Sequence, residues 1–444
     1  MLFTGGRLKM NYSLLVSLLF LIFFFQSSHA LPAYETSNFK LEPSFQTLVG
    51  LQKGTNVNFG LGALDSIGET ERSTLYVALK PKFLTEYQLP ESTLYGGFSF
   101  VAATTTLDGE ISGQVARAGD EAFDTDHAYF GWRKGVFDFS VGGQEFAIGD
   151  GFIVGDGNFN QGGENGQYWT GAFLSWRNSA ILRIDTKPIR GDLFWLRTDS
   201  DFKDGRVIGM NIEHVSISNG TIGLTYLSVL EGDAFNLRGM KAWSIRVADL
   251  MVPQLPNFKV FGEWVTEGGN DKQGGGRKNQ AFGWYIEGQY AFPNLMWTPK
   301  IGYRYADLSG DKADTPENEE YRGLYYTIFK RDWDTWYQGE IAGEYHLFNQ
   351  NQQTQMFKVK LFPAPTWALT VYYYVHELNE PHYFNTPVRN TEWAKELNFG
   401  VEKFVSDRFY GYVGLAWSTP DAAAKEVFGD KDFTVIQTYL SFTF

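Results

Sequence analysis

The sequence predicts an all-β chain, a single transmembrane antiparallel β-barrel of about 18 strands, with roughly 16 to 20 compatible with its spacing. Three observations predict it. From residue 75 onward, apolar and polar residues alternate with a period of two, and the apolar member is often aromatic. No segment after residue 25 is an apolar run of the roughly 20 residues that a spanning helix needs. The chain ends FTVIQTYLSFTF, a strand closing on an aromatic carboxyl terminus.

At the N-terminus, Arg7 and Lys9 precede an apolar run over 14–25, and small residues follow to Ala30. This is the layout of a secretory signal peptide, with cleavage expected after Ala30. Residues 31–40 then form a periplasmic lead, and 41–444 form the barrel. Removing Arg7 and Lys9 with the signal takes the formal charge from −13 to −15. That acidity argues against a nucleic-acid partner. Zero cysteines excludes disulfides, thiolate catalysis and Cys-ligated zinc. An exported chain without a spanning helix still crosses a membrane as a closed barrel, because only helices and barrels satisfy every backbone group in lipid. The expected location is integral to the bacterial outer membrane. The expected partners are its lipid, its lipopolysaccharide and the barrel assembly machinery.

Alternating segments run at 75–82, 94–105, 128–133, 136–148, 173–177, 181–185, 243–247, 259–265, 284–290, 300–306, 337–347, 356–362, 367–377, 397–404 and 410–417. Short connections such as Lys134-Gly135, Ser218-Asn219-Gly220, Pro293-Asn294, Pro363-Ala364-Pro365 and Ser406-Asp407 contrast with long polar ones at 150–168, 267–280, 307–321, 378–392 and 419–432. Short periplasmic turns and long extracellular loops are the outer-membrane pattern. The up-down parity of these segments fails between 177 and 220 and again near 330–334. A short helix is expected over 421–427. In the last strand Phe444, Phe442, Leu440 and Ile436 share the lipid face; Phe442 and Phe444 are read as the assembly signal.

The same alternation assigns a lumen. A charge facing mid-bilayer hydrocarbon costs about 2–4 kcal/mol, so charged members of a strand turn inward. This places Arg133, Arg177, Arg183, Arg246, Arg304, Lys358 and Lys360 on the water side, opposite outward residues such as Trp132, Trp176, Ile245 and Tyr303. Glu287 follows by the same rule, and so do Glu340 and Glu344 if 337–347 is a strand with Ile341, Tyr345 and Leu347 facing lipid. Arginine is more frequent early and glutamate late. Two separated walls would set a transverse field across the pore; paired networks would only stabilise the barrel. Trp169, Trp176, Trp264, Trp284 and Trp297 suit an interfacial girdle, and Tyr285, Tyr372 and Tyr374 are lumenal stacking candidates.

No Ser–His motif marks a hydrolase, so no catalytic residue is assigned. His346 and His376 are read as lumenal polar residues. Asp150 and Asp156, beside Asn158 and Asn160, lack EF-hand spacing and read as a solvated turn rather than a calcium site. No metal or cofactor is assigned.

The stretch AYFGWRKGVFDFSVGGQEFAIGDGFIVGD over 128–156 and the stretch YRGLYYTIFKRDWDTWYQGEIAGEYH over 321–346 resemble the hairpin and late aromatic segment of alginate-export outer-membrane proteins. Gly143 stands where that family commonly has Arg. The resemblance implies a monomeric barrel of roughly 18 strands, with loops folded into the lumen, that passes an anionic polysaccharide. The residues alone leave two further readings: a general or uptake porin for small solutes, and an enzyme or structural barrel with a plugged lumen.

Overall fold

A computed structural model describes residues 31–444 apart from 115–116, 156, 158–170, 199–204, 217–218, 233–236, 271–275, 328–329, 332–333, 337 and 405–407. The expected signal peptide, Asp156, Asn158, Asn160, Trp169, Tyr337 and the Ser406-Asp407 turn lie outside the described residues.

Nineteen strands form one antiparallel sheet, and two small two-stranded pairs, Gly62–Ala63 with Ser66–Ile67 and His382–Tyr383 with Thr386–Pro387, stand apart from it. The large sheet's two-residue member Tyr34–Glu35 belongs to the lead and folds back onto the first long strand, which leaves eighteen in the wall. In chain order these are β1 Phe39–Thr55, β2 Glu71–Leu89, β3 Ser92–Leu107, β4 Glu121–Lys134, β5 Phe137–Gln144, β6 Trp176–Asp185, β7 Ile189–Arg197, β8 Arg206–Ser216 and β9 Gly220–Glu231. They continue as β10 Met240–Val252, β11 Leu255–Gly269, β12 Ala281–Ala291, β13 Lys300–Leu308, β14 Gln352–Ala364, β15 Trp367–Leu378, β16 Glu392–Phe404, β17 Phe409–Pro420 and β18 Phe433–Thr443. Each pairs with the next, and β18 pairs with β1 from Gln46↔Thr443 to Thr55↔Thr434, which closes the barrel and removes both sheet edges.

Phe444 completes the seam: its N–H donates to the Phe45 carbonyl at 2.9 Å, and its own carbonyl accepts from the Phe45 N–H at 3.2 Å. Short turns such as 90–91, 135–136 and 365–366 lie on the rim that carries both chain ends. The turn at 135–136 is a two-residue hairpin. Gly135 takes the positive φ of 57° that its first central position requires. Long connections, including 145–175 and 309–351, leave the other rim. The short helix Ala422–Val427 forms where it was expected.

The wall alternates as a barrel in lipid should. In β8, Ile208, Met210 and Ile212 are exposed while Asn211 and Glu213 are buried. In β18, Ile436 faces out while Gln437 and Tyr439 face in. The parity failures resolve as follows. Segments 173–177 and 181–185 are one strand, β6, entered through a buried approach, and β7, β8 and β9 stand where no segment was singled out. The segment 337–347 is no strand. It belongs to the connection 309–351 and contains a π-helical turn, Ala342–Leu347, buried inside the barrel.

Candidate functional site

The lumen is filled at its middle. The described parts of the connections 309–351 and 145–175 fold inward and pack a hydrophobic core against the wall, with Phe152, Tyr321, Trp336 and Tyr345 almost fully buried. Trp336 packs against Phe152 in a tilted contact and against Tyr285 edge-to-face, at ring distances of 4.8 Å in both cases, and donates its Nε1–H to the Asp150 carbonyl at 2.7 Å. Wall side chains at this level are buried in β1, β2, β8 to β16 and β18, among them Gln52, Thr74, Asn211, Arg304, Glu396 and Gln437.

A charged cluster fastens 309–351 to β12, β13 and β14. Glu287 takes Lys330 Nζ at 2.6 Å and Arg331 Nη2 at 3.2 Å. Asp334 takes Arg304 Nη1 at 2.6 Å and Lys330 Nζ at 3.5 Å. Lys358 Nζ lies 4.0 Å from Glu287. Arg331 also reaches Asp150 at 2.8 Å and lies over the Phe261 ring, 3.4 Å from its centre. Removing these charges from water is costly, and only mutual pairing offsets it. In the loop, burial lowers the Lys330 ammonium to about 8 although Glu287 opposes the shift. Burial alone would raise Asp334; Arg304, Lys330 and Lys358 hold it below the usual carboxylate range.

A second fastening lies beside it. The Glu396 carboxylate accepts the N–H groups of Glu340 (2.6 Å), Ile341 (3.1 Å) and Ala342 (2.7 Å), a concave run of backbone donors filled by a wall anion. At the barrel seam, Gln437 donates to Glu340 at 2.7 Å and Gln52 to the Tyr345 hydroxyl at 3.2 Å. Burial pushes the Glu340 carboxyl up to about 7 and raises Glu344 as well.

The other assigned residues distribute as follows. Arg246 is buried in the lumen, paired with Glu213 and bonded to Thr225 at 2.9 Å and Asn211 at 2.8 Å. Lys360 pairs with Glu402 at 2.6 Å. Near the short-turn rim, Arg133 pairs with Asp138 at 3.2 Å and Arg183 lies 3.6 Å from Asp192. Arg177 is exposed at a strand irregularity, paired with Asp124 at 3.2 Å, and stands apart from the buried network. Trp176, assigned to lipid, is buried instead, donating to the Phe146 carbonyl at 2.9 Å. Ile341, Tyr345 and Leu347 are buried in the lumen core rather than facing lipid. Glu340 and Glu344 are therefore on the inserted loop and not on the wall. Local pairing replaces the separated arginine and glutamate walls.

Tyr285, Tyr372 and Tyr374 are buried inside. His346 is wedged between Phe59 and Phe428 and lies 3.2 Å from Asn58 Oδ1; burial lowers it to about 3. His376 bonds Thr354 at 3.1 Å. Trp264 and Trp284 stack on the outside at 6.0 Å, as a girdle does. The sequence reading missed Lys330, Arg331 and Asp334. Their signal was present in the parity failure at 330–334, where a dense run of both charges directly precedes the supposed strand 337–347.

Below the plug, toward the short-turn rim, two adjoining chambers of about 350 and 450 Å³ remain, and Lys82 and Glu145 line both. The first also carries Arg133 and Arg183, the second Ser44, Tyr410, Tyr439 and Ser441. Asp126, His127 and Glu145 lie within 4.8 Å of one another here, a grouping of metal-ligand type. Lys80 sits 2.6 Å from Asp126 and Lys82 lies 3.4 Å from His127, so ammonium groups already meet these donors.

No protein-family model matches the chain, and no curated relative does. Solved structures do. OccK5 (OpdH) of Pseudomonas aeruginosa aligns over 91% of this chain and 97% of its own at 9% identity, with a TM-score of 0.59. A BenF-like porin from Pseudomonas fluorescens Pf-5 covers 91% and 98% at 10% identity and 0.59. P. aeruginosa OccK2 (OpdF), solved in complex with glucuronate, covers 91% and 97% at 9% identity and 0.55. The fold is that of outer-membrane porins. With its apolar exterior, the chain is an integral outer-membrane β-barrel.

Proposed function

We propose that this protein is a gated outer-membrane channel for uptake of small anionic solutes of sugar-acid size. The observation that carries the reading is the pair of chambers below the plug. Their volumes, about 350 and 450 Å³, fall in the range of about 300–1,000 Å³ usual for small-molecule sites. Lys82 and Arg183 offer a carboxylate its partners, and Ser44, Tyr410 and Ser441 offer hydroxyls to a polyol. The glucuronate held by OccK2 is a solute of this kind. Polysaccharide export rests on the alginate-export resemblance, and a polymer would have to displace the whole inserted loop. Ser99 Oγ lies 2.9 Å from the buried His127, but at Nδ1, the same ring nitrogen that meets Asp126 at 2.7 Å, so base and orienting acid do not stand on opposite sides of the ring as a serine relay needs, and the reading is a channel and not an enzyme.

Planar-bilayer recording tests this. Purified wild-type barrel should give discrete steps that glucuronate blocks briefly at millimolar concentration, and Lys82→Glu with Arg183→Glu should weaken that block. Block by alginate oligomers but not by glucuronate would favour export. Absence of any conducting state under voltage would point to a structural barrel.

A further inference from the structure

We infer that the outer wall holds a specific phospholipid acyl-chain site centred on Gly288. The inference is independent of the solute that the lumen passes. On the lipid face of β12, Gly288 stands between Ile286 and Tyr290, and it lies opposite Val260 of β11 and Tyr303 of β13. Four large side chains therefore surround a position with none. The result is an apolar recess of about 650 Å³, walled further by Phe258, Ile301, Phe357 and Val359. The Phe258 ring lies across the glycine: a Cβ added at Gly288 would sit 2.9 Å from its Cζ. Tyr303 and Phe357 hold the opposite bank, with ring centres 4.9 Å apart.

The occupant follows from position and shape. The recess lies toward the short-turn ends of β11 to β14, so it opens within the periplasmic half of the apolar belt. A flexible hydrocarbon chain of the surrounding bilayer conforms to an apolar recess at this depth. The turn 292–299, longer than its neighbours on that rim, exposes Leu295, Met296 and Trp297 next to the mouth. Exposed apolar and indole groups at that depth belong in the headgroup interface. Periplasmic-leaflet lipid is glycerophospholipid, so the class is a glycerophospholipid with one acyl chain laid in the recess.

The test uses the full barrel in phosphatidylethanolamine–phosphatidylglycerol vesicles doped with a phospholipid bearing a mid-chain diazirine. After irradiation, adducts should concentrate several-fold on peptides covering 286–290 and 301–303 relative to the outward residues of β8 and β9. Gly288→Leu, which needs only the lipid-facing Phe258 to swing aside, should abolish that excess. Val260→Trp fills the same recess from the neighbouring strand and serves if the first variant yields no heat-modifiable barrel. Uniform labelling around the wall, or an excess that survives both substitutions, would overturn the site. A dimer in native mass spectrometry with protein–protein cross-links across Gly288 would overturn it in favour of a second copy.

Discussion

At the scale of single residues, the lumen is decided by charges that cannot be left unpaired. Asp334 sits in the inserted loop and holds Arg304 of the wall at 2.6 Å, both fully buried. Breaking a buried pair by removing one partner costs about 3–5 kcal/mol, because the other charge stays behind. That cost falls on docking of the loop and not on the wall, whose strands keep their ladder. Asp334→Ala should therefore raise single-channel open probability severalfold or more while heat-modifiability in gels stays normal. An unchanged open probability would mean that the pair does not hold the plug.

Glu340 gives docking a pH dependence. Its carboxyl titrates near 7 in the docked loop, above the ordinary carboxylate range, because of burial. A raised folded-state value means that docking is strongest when the acid is protonated. Docking should weaken as pH rises from about 4.5 toward 7 and stay weaker above that. Lys330, lowered to about 8, acts only above that pH and in the opposite sense. His346, lowered to about 3 in the same loop, acts against Glu340 up to about pH 6.5, so the Glu340 contribution is read by difference: the open probability of wild type relative to Glu340→Gln should climb between pH 5 and 7.5. A ratio that falls over that range would contradict this sign. Alternation alone put Arg246, Arg304, Lys358 and Lys360 on the lumen side, because charge is excluded from lipid. It misplaced Trp176, Ile341 and Tyr345, because an apolar residue packed against a lumenal loop reads the same as one facing lipid.

At the scale of elements, β18 carries the closure. The terminal residue contributes two backbone bonds to Phe45, and Phe442 packs on Phe409 at a ring distance of 5.1 Å. Deleting Phe444 removes both bonds from the seam but touches nothing in the plug. The amount of inserted barrel should drop, and each surviving channel should conduct as wild type. Normal insertion levels would count against the assembly role of this end. Most wall strands were legible, because one face must meet hydrocarbon and the other water. The inserted connection 309–351 was not. Its aromatic, alternating stretch mimics a strand, and long-range contacts, such as the three loop N–H groups that donate to Glu396, reveal that wall residues hold it. Such bonds join positions far apart in sequence and leave no local pattern.

At the scale of the whole molecule, the exterior obeys lipid, the wall closes on itself, and the interior holds a plug that is polar where it meets the wall and apolar at its centre. Eighteen strands enclose more space than wall side chains can fill. The described parts of the two inserted connections take up the middle, and two chambers remain below them. Conduction then requires the loop 309–351 to leave its place. The absence of native cysteine makes this directly measurable. Gln437 on the wall and Glu340 on the loop touch at 2.7 Å. Replacing both with cysteine and bridging them with a short bis-maleimide ties the loop to the seam. Single-channel recording of the doubly substituted barrel should show discrete steps before bridging and none after it. Steps of equal size and frequency after quantitative bridging would contradict a movable plug, and with it the account of this protein as a gated channel.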